Sequence, residues 1–222
     1  LNTFKHKIKE TISYRYEIFP LQWKIAISWV SGYFIFQFFN PVVFAYNGAE
    51  AAGKVGMTLT VLNAITSFVM SWISTKVPTW SGFIARKEYG ELDFSFKKTL
   101  QQSTLISVLC IIVFVVFVVV INYLNIPLAN RFLPIFLCVI VFLTIPFNNI
   151  VSGSATYLRC HKKEPFLIQS ILIGVLTGIS TFVGAKYLGV NGVIISYSLI
   201  IIFISFPTSI YIFKHFRKLY HT

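Results

Sequence analysis

Six long apolar stretches fill most of this chain, at about 20–46, 55–83, 100–124, 132–157, 166–187 and 190–213. Short polar or charged connections separate them. A helix needs roughly 20 apolar residues to cross a hydrocarbon layer about 30 Å thick, and each stretch reaches that length. The third is the plainest: residues 105–121 read LISVLCIIVFVVFVVVI, with nothing more polar than Ser107 and Cys110. Backbone polar groups in lipid must pair within the chain, so the stretches are predicted to be helices. The long period-2 alternation of a membrane barrel is absent. The expected fold class is an all-α integral membrane protein, a six-helix transmembrane bundle forming a single unit over 1–222.

The connections alternate in length and charge. Asn47-Gly48-Ala49, Asn125-Ile126-Pro127 and Gly189-Val190-Asn191-Gly192 are tight turns. The one sizeable connection, residues 86–102, is polar and centred on Gly90; it reads either as a short interfacial helix running into the third span or as a solvated loop. Pro41, Pro78, Pro134, Pro146 and Pro207 fall inside spans, where prolines bend helices.

Charge then orients the bundle. Lys5, Lys7, Lys9, Arg15 and Lys24 precede or open the first stretch; Arg86, Lys87, Lys97 and Lys98 follow the second. Arg159, Lys162 and Lys163 follow the fourth, and Lys214, Arg217 and Lys218 follow the sixth. The other three connections carry one cation each, Lys54, Arg131 and Lys186. Short loops rich in Lys and Arg stay cytoplasmic, so both termini are expected there. Residues 1–19 carry charge without an apolar core segment, and no cleavable signal is expected.

Composition agrees. The chain is 56% hydrophobic and 12% charged, too apolar for an ordinary soluble domain. Its net charge of +12 would suggest nucleic acid in a soluble protein. Here the cations sit at span ends, where they set topology and meet anionic lipid, and no nucleic acid is expected as a partner. Cys110, Cys138 and Cys160 form no framework and read as reduced thiols.

Chemistry is limited by the acids. Glu10, Glu17, Glu50, Glu88, Glu91, Asp93 and Glu164 are all of them, and none lies deep in a stretch. Paired carboxylates, metal clusters and proton relays need acids or histidines at depth. The four histidines (His6, His161, His215 and His221) flank the spans instead. No enzyme active site, cofactor or metal is expected.

The first stretch carries a different signal. On a straight helix, Gln22, Ala26, Trp29, Tyr33, Gln37, Asn40, Phe44 and Asn47 fall within about 120° of one another. Unpaired amides facing lipid are costly, so this stripe either packs on a neighbouring helix or lines a wet cavity. Amides bond hydroxyl-rich ligands, and Trp and Tyr offer flat faces with polar tips, which suits sugars. In the second stretch Gly53, Gly56, Thr60, Asn63, Ser67, Ser71, Ser74, Pro78 and Gly82 share a face, read mainly as a packing seam. Lys76 is the only ion in the interior of a stretch. It either snorkels to the headgroups or is a cavity cation that meets a phosphate.

The order of these features resembles a known family. Residues 51–98 (AAGKVGMTLTVLNAITSFVMSWISTKVPTWSGFIARKEYGELDFSFKK) look like the eighth-span region of polysaccharide flippases. Tyr157 to Glu164, followed by two spans joined through Gly189-Val190-Asn191-Gly192, resembles the end of the same lobe. These flippases, of O-antigen type, belong to the multidrug/oligosaccharidyl-lipid/polysaccharide exporter superfamily. The resemblance implies the carboxy-terminal lobe of a two-lobe transporter in the bacterial cytoplasmic (inner) membrane, moving lipid-linked oligosaccharide by alternating access. It implies a missing amino-terminal lobe or a second copy as partner. It gives Trp29, Tyr33, Gln37, Asn40 and Asn47 a sugar-facing role and Lys76 a phosphate role. A small-molecule exporter of the same superfamily and a non-catalytic membrane scaffold are the alternative expectations.

Overall fold

The structure, a computed structural model, describes Tyr14 and residues 19–221. Lys5, Lys7, Lys9 and Arg15 lie outside the described residues, as do His6, Glu10 and Glu17. The described residues are helical and include no strand. In chain order the helices are α1 (Phe19–Phe36), α2 (Phe39–Ser74), α3 (Val77–Ala85) and α4 (Tyr89–Tyr123). A 3₁₀ turn at Pro127–Arg131 leads to α5 (Ile135–Phe142), α6 (Thr144–Arg159) and α7 (Leu167–Tyr187). α8 (Gly189–Leu199) continues through a π-helical segment, Ile200–Ser205, into α9 (Phe206–Tyr220).

Five helical runs among the described residues are long and apolar enough to cross a membrane, as in a multi-pass membrane protein. They are Gln22–Ala85, Tyr89–Tyr123, Ile135–Arg159, Leu167–Tyr187 and Gly189–Tyr220. The first takes in both of the first two expected stretches. Straight, its 64 residues would extend about 96 Å, three times the hydrocarbon thickness. It is not straight: Gly48 has φ 83° and ψ 175°. That left-handed conformation suits glycine, and it falls within the turn expected at Asn47–Ala49.

Proline explains the other interruptions. Pro41, Pro78, Pro146 and Pro207 each lie in the first turn of α2, α3, α6 and α9. A proline there gives up an N–H with no helical partner anyway, whereas further along it would clash with the carbonyl four residues back. The preceding helix therefore stops or widens. Phe38 N–H reaches back five residues to the Tyr33 carbonyl at 3.1 Å, and the π segment ends with Phe206 N–H on the Ile201 carbonyl. The connection at 86–102 is helical from Tyr89 onward, as the start of α4.

Two cores hold the bundle. At the end of the tight turns, Phe39, Val43, Val55, Leu59, Phe142, Ile145 and Val193 are buried together. At the charge-rich end, Trp80, Leu92, Phe96, Tyr157, Leu158 and Phe166 form the second. α4 presents Leu109, Ile112, Val113, Val116 and Phe117 outward, as a helix facing lipid does.

Candidate functional site

A cleft of about 560 Å³ opens between α1, α6, α7 and the π segment, within the roughly 300–1,000 Å³ typical of ligand sites. One face of α6 supplies Asn148, Val151, Ser152, Ala155, Thr156 and Arg159 to it. These recur every three or four residues, the spacing that aligns side chains along a helix. The opposite face of α6 packs: Asn149 Nδ2 donates to Ser103 Oγ at 3.0 Å, and Tyr157 is fully buried. α1 and α7 form the facing wall. They approach closely because a Cβ on Gly174 would lie 3.1 Å from the Ser31 carbonyl, so only glycine fits without displacement. Ser170 Oγ donates to Ser28 Oγ at 3.1 Å across the same contact.

The cleft takes in half of the residues expected from sequence. Trp29, Tyr33 and Gln37 line it, with Trp29 74% exposed. Asn40 and Asn47 do not. The stripe assumed one straight helix, and the break before Pro41 separates its two halves. Asn40 lies instead against Gly56, where a Cβ would come within 3.1 Å of Asn40 Nδ2. Asn47 Nδ2 donates to the Ala185 carbonyl at 3.3 Å, joining α2 to α7. Asn40 thus faces the other half of α2 across the Gly48 bend, and only Asn47 bonds a neighbouring helix. Lys76 is exposed at the junction of α2 and α3 and lines none of the described clefts.

The small-residue face of α2 is turned outward: Gly53, Thr60, Ser67, Ser71 and Ser74 are exposed. Thr60, Ser71 and Ser74 donate to carbonyls of their own helix at 2.6–3.0 Å, so they reach an apolar surface already paired.

Two cleft residues escaped the sequence reading. Arg159 is the one charged side chain among the lining residues. Its Nε donates to Glu164 Oε2, and its Nη2 to Glu164 Oε1 at 3.0 Å. The Glu164 side chain is wholly enclosed, while that of Arg159 stays 33% exposed. A signal existed, since Glu164 is the only carboxylate between Ser95 and Thr222 and follows Arg159 by five residues. Gln169, an isolated amide in the fifth stretch, is 7% exposed. Its Nε2 donates to the Ser205 carbonyl at 2.7 Å and to Thr208 Oγ1 at 2.9 Å, but its Oε1 has no partner. The orientation is fixed by chemistry, because a carbonyl can only accept and the amide nitrogen must face it.

Neither a known protein family, nor a curated protein, nor a solved structure matches this chain.

Proposed function

We propose that this chain is one lobe of a flippase that carries lipid-linked oligosaccharide across the bacterial inner membrane by alternating access, without covalent chemistry. The observation that carries the reading is the cleft itself. An all-helical apolar bundle has no structural need for an open recess edged by Trp29, Tyr33 and Gln37, whereas a hydroxyl-rich cargo uses such groups. In this reading the run Gln22–Ala85 crosses the membrane twice, turning at Gly48, which makes six crossings with both termini cytoplasmic. The distribution of Lys and Arg supports that orientation. A second six-span lobe, in the same polypeptide or in another copy, completes the transport path. The outward polar face of α2 suits that contact, because small residues let membrane helices approach closely.

The cleft volume also suits a single small molecule, which favours export of such a molecule as the second reading. One experiment separates the two. Disrupting the coding sequence is expected to trap lipid-linked oligosaccharide in the cytoplasmic leaflet and abolish surface polysaccharide. Export of a small molecule predicts intact polysaccharide and increased sensitivity to toxic compounds. For the site, cysteines at positions 29, 33 and 37 are expected to react with a water-soluble maleimide in intact membranes. If all three reacted only with a lipid-soluble reagent, the cleft would be a lipid-filled crevice and the transport reading would fail.

A further inference from the structure

The cleft contains one cation, and that cation is already neutralised. Arg159 commits two of its five N–H donors to Glu164 in a two-point, charge-assisted contact, the strong geometry for a guanidinium and a carboxylate. Glu164 is enclosed and has no water to fall back on. Drawing Arg159 away toward an incoming anion would strand a buried carboxylate, the costly way to break such a pair. The pair therefore presents no net charge to the cleft, and three guanidinium N–H groups remain to bond neutral oxygens.

The second observation is Gln169 in the cleft wall, whose Oε1 is enclosed and has no hydrogen-bond partner. That oxygen is an acceptor in need of a donor. A hydroxyl or amide N–H can satisfy it. A phosphate or carboxylate brings only acceptor oxygens and would be repelled. Around these two groups stand Trp29 and Tyr33, whose ring faces suit the C–H faces of a pyranose. Gln37 and Ser28 add neutral hydrogen-bonding groups.

From this juxtaposition we infer that the cleft binds an uncharged, hydroxyl-rich saccharide and discriminates against acidic sugars and phosphates. The Arg159–Glu164 pair stands as a built-in counter-ion that keeps anions out, and its free guanidinium N–H groups donate to sugar oxygens. The inference rests on the flippase reading and narrows its cargo: the neutral glycan occupies this cleft, and the anionic lipid linkage is held elsewhere.

The test uses the full chain in nanodiscs of zwitterionic lipid, titrated calorimetrically with maltotriose, trigalacturonic acid and inorganic pyrophosphate. Maltotriose is expected to bind with an affinity that stays constant between low and high salt, because no charge is exchanged. Trigalacturonic acid and pyrophosphate are expected to bind at least about tenfold more weakly. Glu164→Gln removes the counter-ion and is expected to raise affinity for the acid about tenfold while leaving maltotriose within about twofold. Should that variant fail to fold, the salt series on the unaltered chain decides alone.

Tighter binding of the acid or of pyrophosphate than of maltotriose by the unaltered chain would overturn the neutral assignment. The flippase reading would survive that result, with a different cargo. Binding of none of the three probes would remove the saccharide site, and the oligosaccharide-trapping experiment would then judge the flippase reading separately.

Discussion

The two cores of this bundle are held by different physics. At the tight-turn end, Phe39, Val43, Val55, Phe142 and Val193 interlock by shape, and α7 meets α8 at Gly184 and Gly192 with backbone against backbone. At the charge-rich end, the buried aromatics carry polar atoms with named partners. Trp80 Nε1 donates to Ser95 Oγ at 3.1 Å, and Tyr157 Oη donates to Asp93 Oδ1 at 2.6 Å. Arg217 closes on the same carboxylate with its Nε 3.0 Å from Oδ1, and His221 Nε2 lies 3.0 Å from the Tyr157 hydroxyl. Among the described residues, the first core has no acid, histidine, lysine or arginine to respond to solution conditions. The second joins α3, α4, α6 and α9 through groups that can.

The largest effect expected from breaking the contrast is at Trp80. Its side chain is fully buried, edge-on to Phe96 at 5.6 Å and tilted against Tyr157 at 6.3 Å. Trp80→Ala removes the largest side chain of the charge-rich core and leaves Ser95 without its donor. Aromatic-to-alanine changes in cores cost about 3–5 kcal/mol. Thermal unfolding of the purified chain, followed by loss of the monodisperse chromatographic peak, is expected to shift well below the unaltered protein. A shift within error would mean that this core contributes little to the bundle.

A smaller effect, of opposite origin, is expected at the tight-turn end. A Cβ on Gly184 would come 2.9 Å from the Gly192 carbonyl carbon and 3.0 Å from Val193 N, both backbone atoms that cannot rotate away. Gly184→Ala therefore forces α7 and α8 apart, an overpacking cost of about 1–3 kcal/mol. Gly53 provides the control, since nothing lies within 4 Å of a Cβ there. Gly53→Ala is expected to unfold with the parent chain in the same assay, and equal losses from the two substitutions would refute shape packing at the tight-turn end.

The contrast also marks what the sequence could convey. Apolar length and charge alternation made the helices legible, and the Asn47–Ala49 turn appeared as Gly48 in a left-handed conformation. Proline positions foretold bends but not their consequence for the first stripe. Because α1 ends before Pro41, Gln37 turns into the cleft while Asn40 turns to the other half of α2 and Asn47 to α7. A periodicity argument assumes one continuous axis, and the site falls where that axis breaks. Arg159 escaped for another reason. Its charge was absorbed by the topology argument, although its pairing with the single acid of the carboxy-terminal half was visible in the chain. Gln169 needed the widened turn before Pro207, which brings the Ser205 carbonyl to it; that contact spans 36 residues and leaves no local pattern.

The finest test of the comparison is pH. Burial holds both His161 and His221 below the ordinary imidazole range, with Asp93 opposing that shift at each ring and Arg217 reinforcing it at His221. Tyr89 stacks on the His221 ring at 4.4 Å, and His161 lies 5.8 Å from it, so a second positive charge would be close by. The Tyr157 hydroxyl donates to Asp93 and must accept from His221, which places the imidazole proton on Nε2 in the neutral ring. The sign follows from proton binding. Each histidine takes up its proton more readily unfolded than folded, so its contribution is fully present above about pH 6.5 and is lost as pH falls through the lowered folded value. Melting temperature is therefore expected to fall between pH 7.5 and pH 5.5, and His161→Asn with His221→Asn to flatten that slope. Gly184→Ala should instead lower the curve evenly at every pH, because shape packing has no proton to exchange. A slope unchanged by the double histidine variant would assign the acid sensitivity to other groups and dissolve the distinction between the two cores.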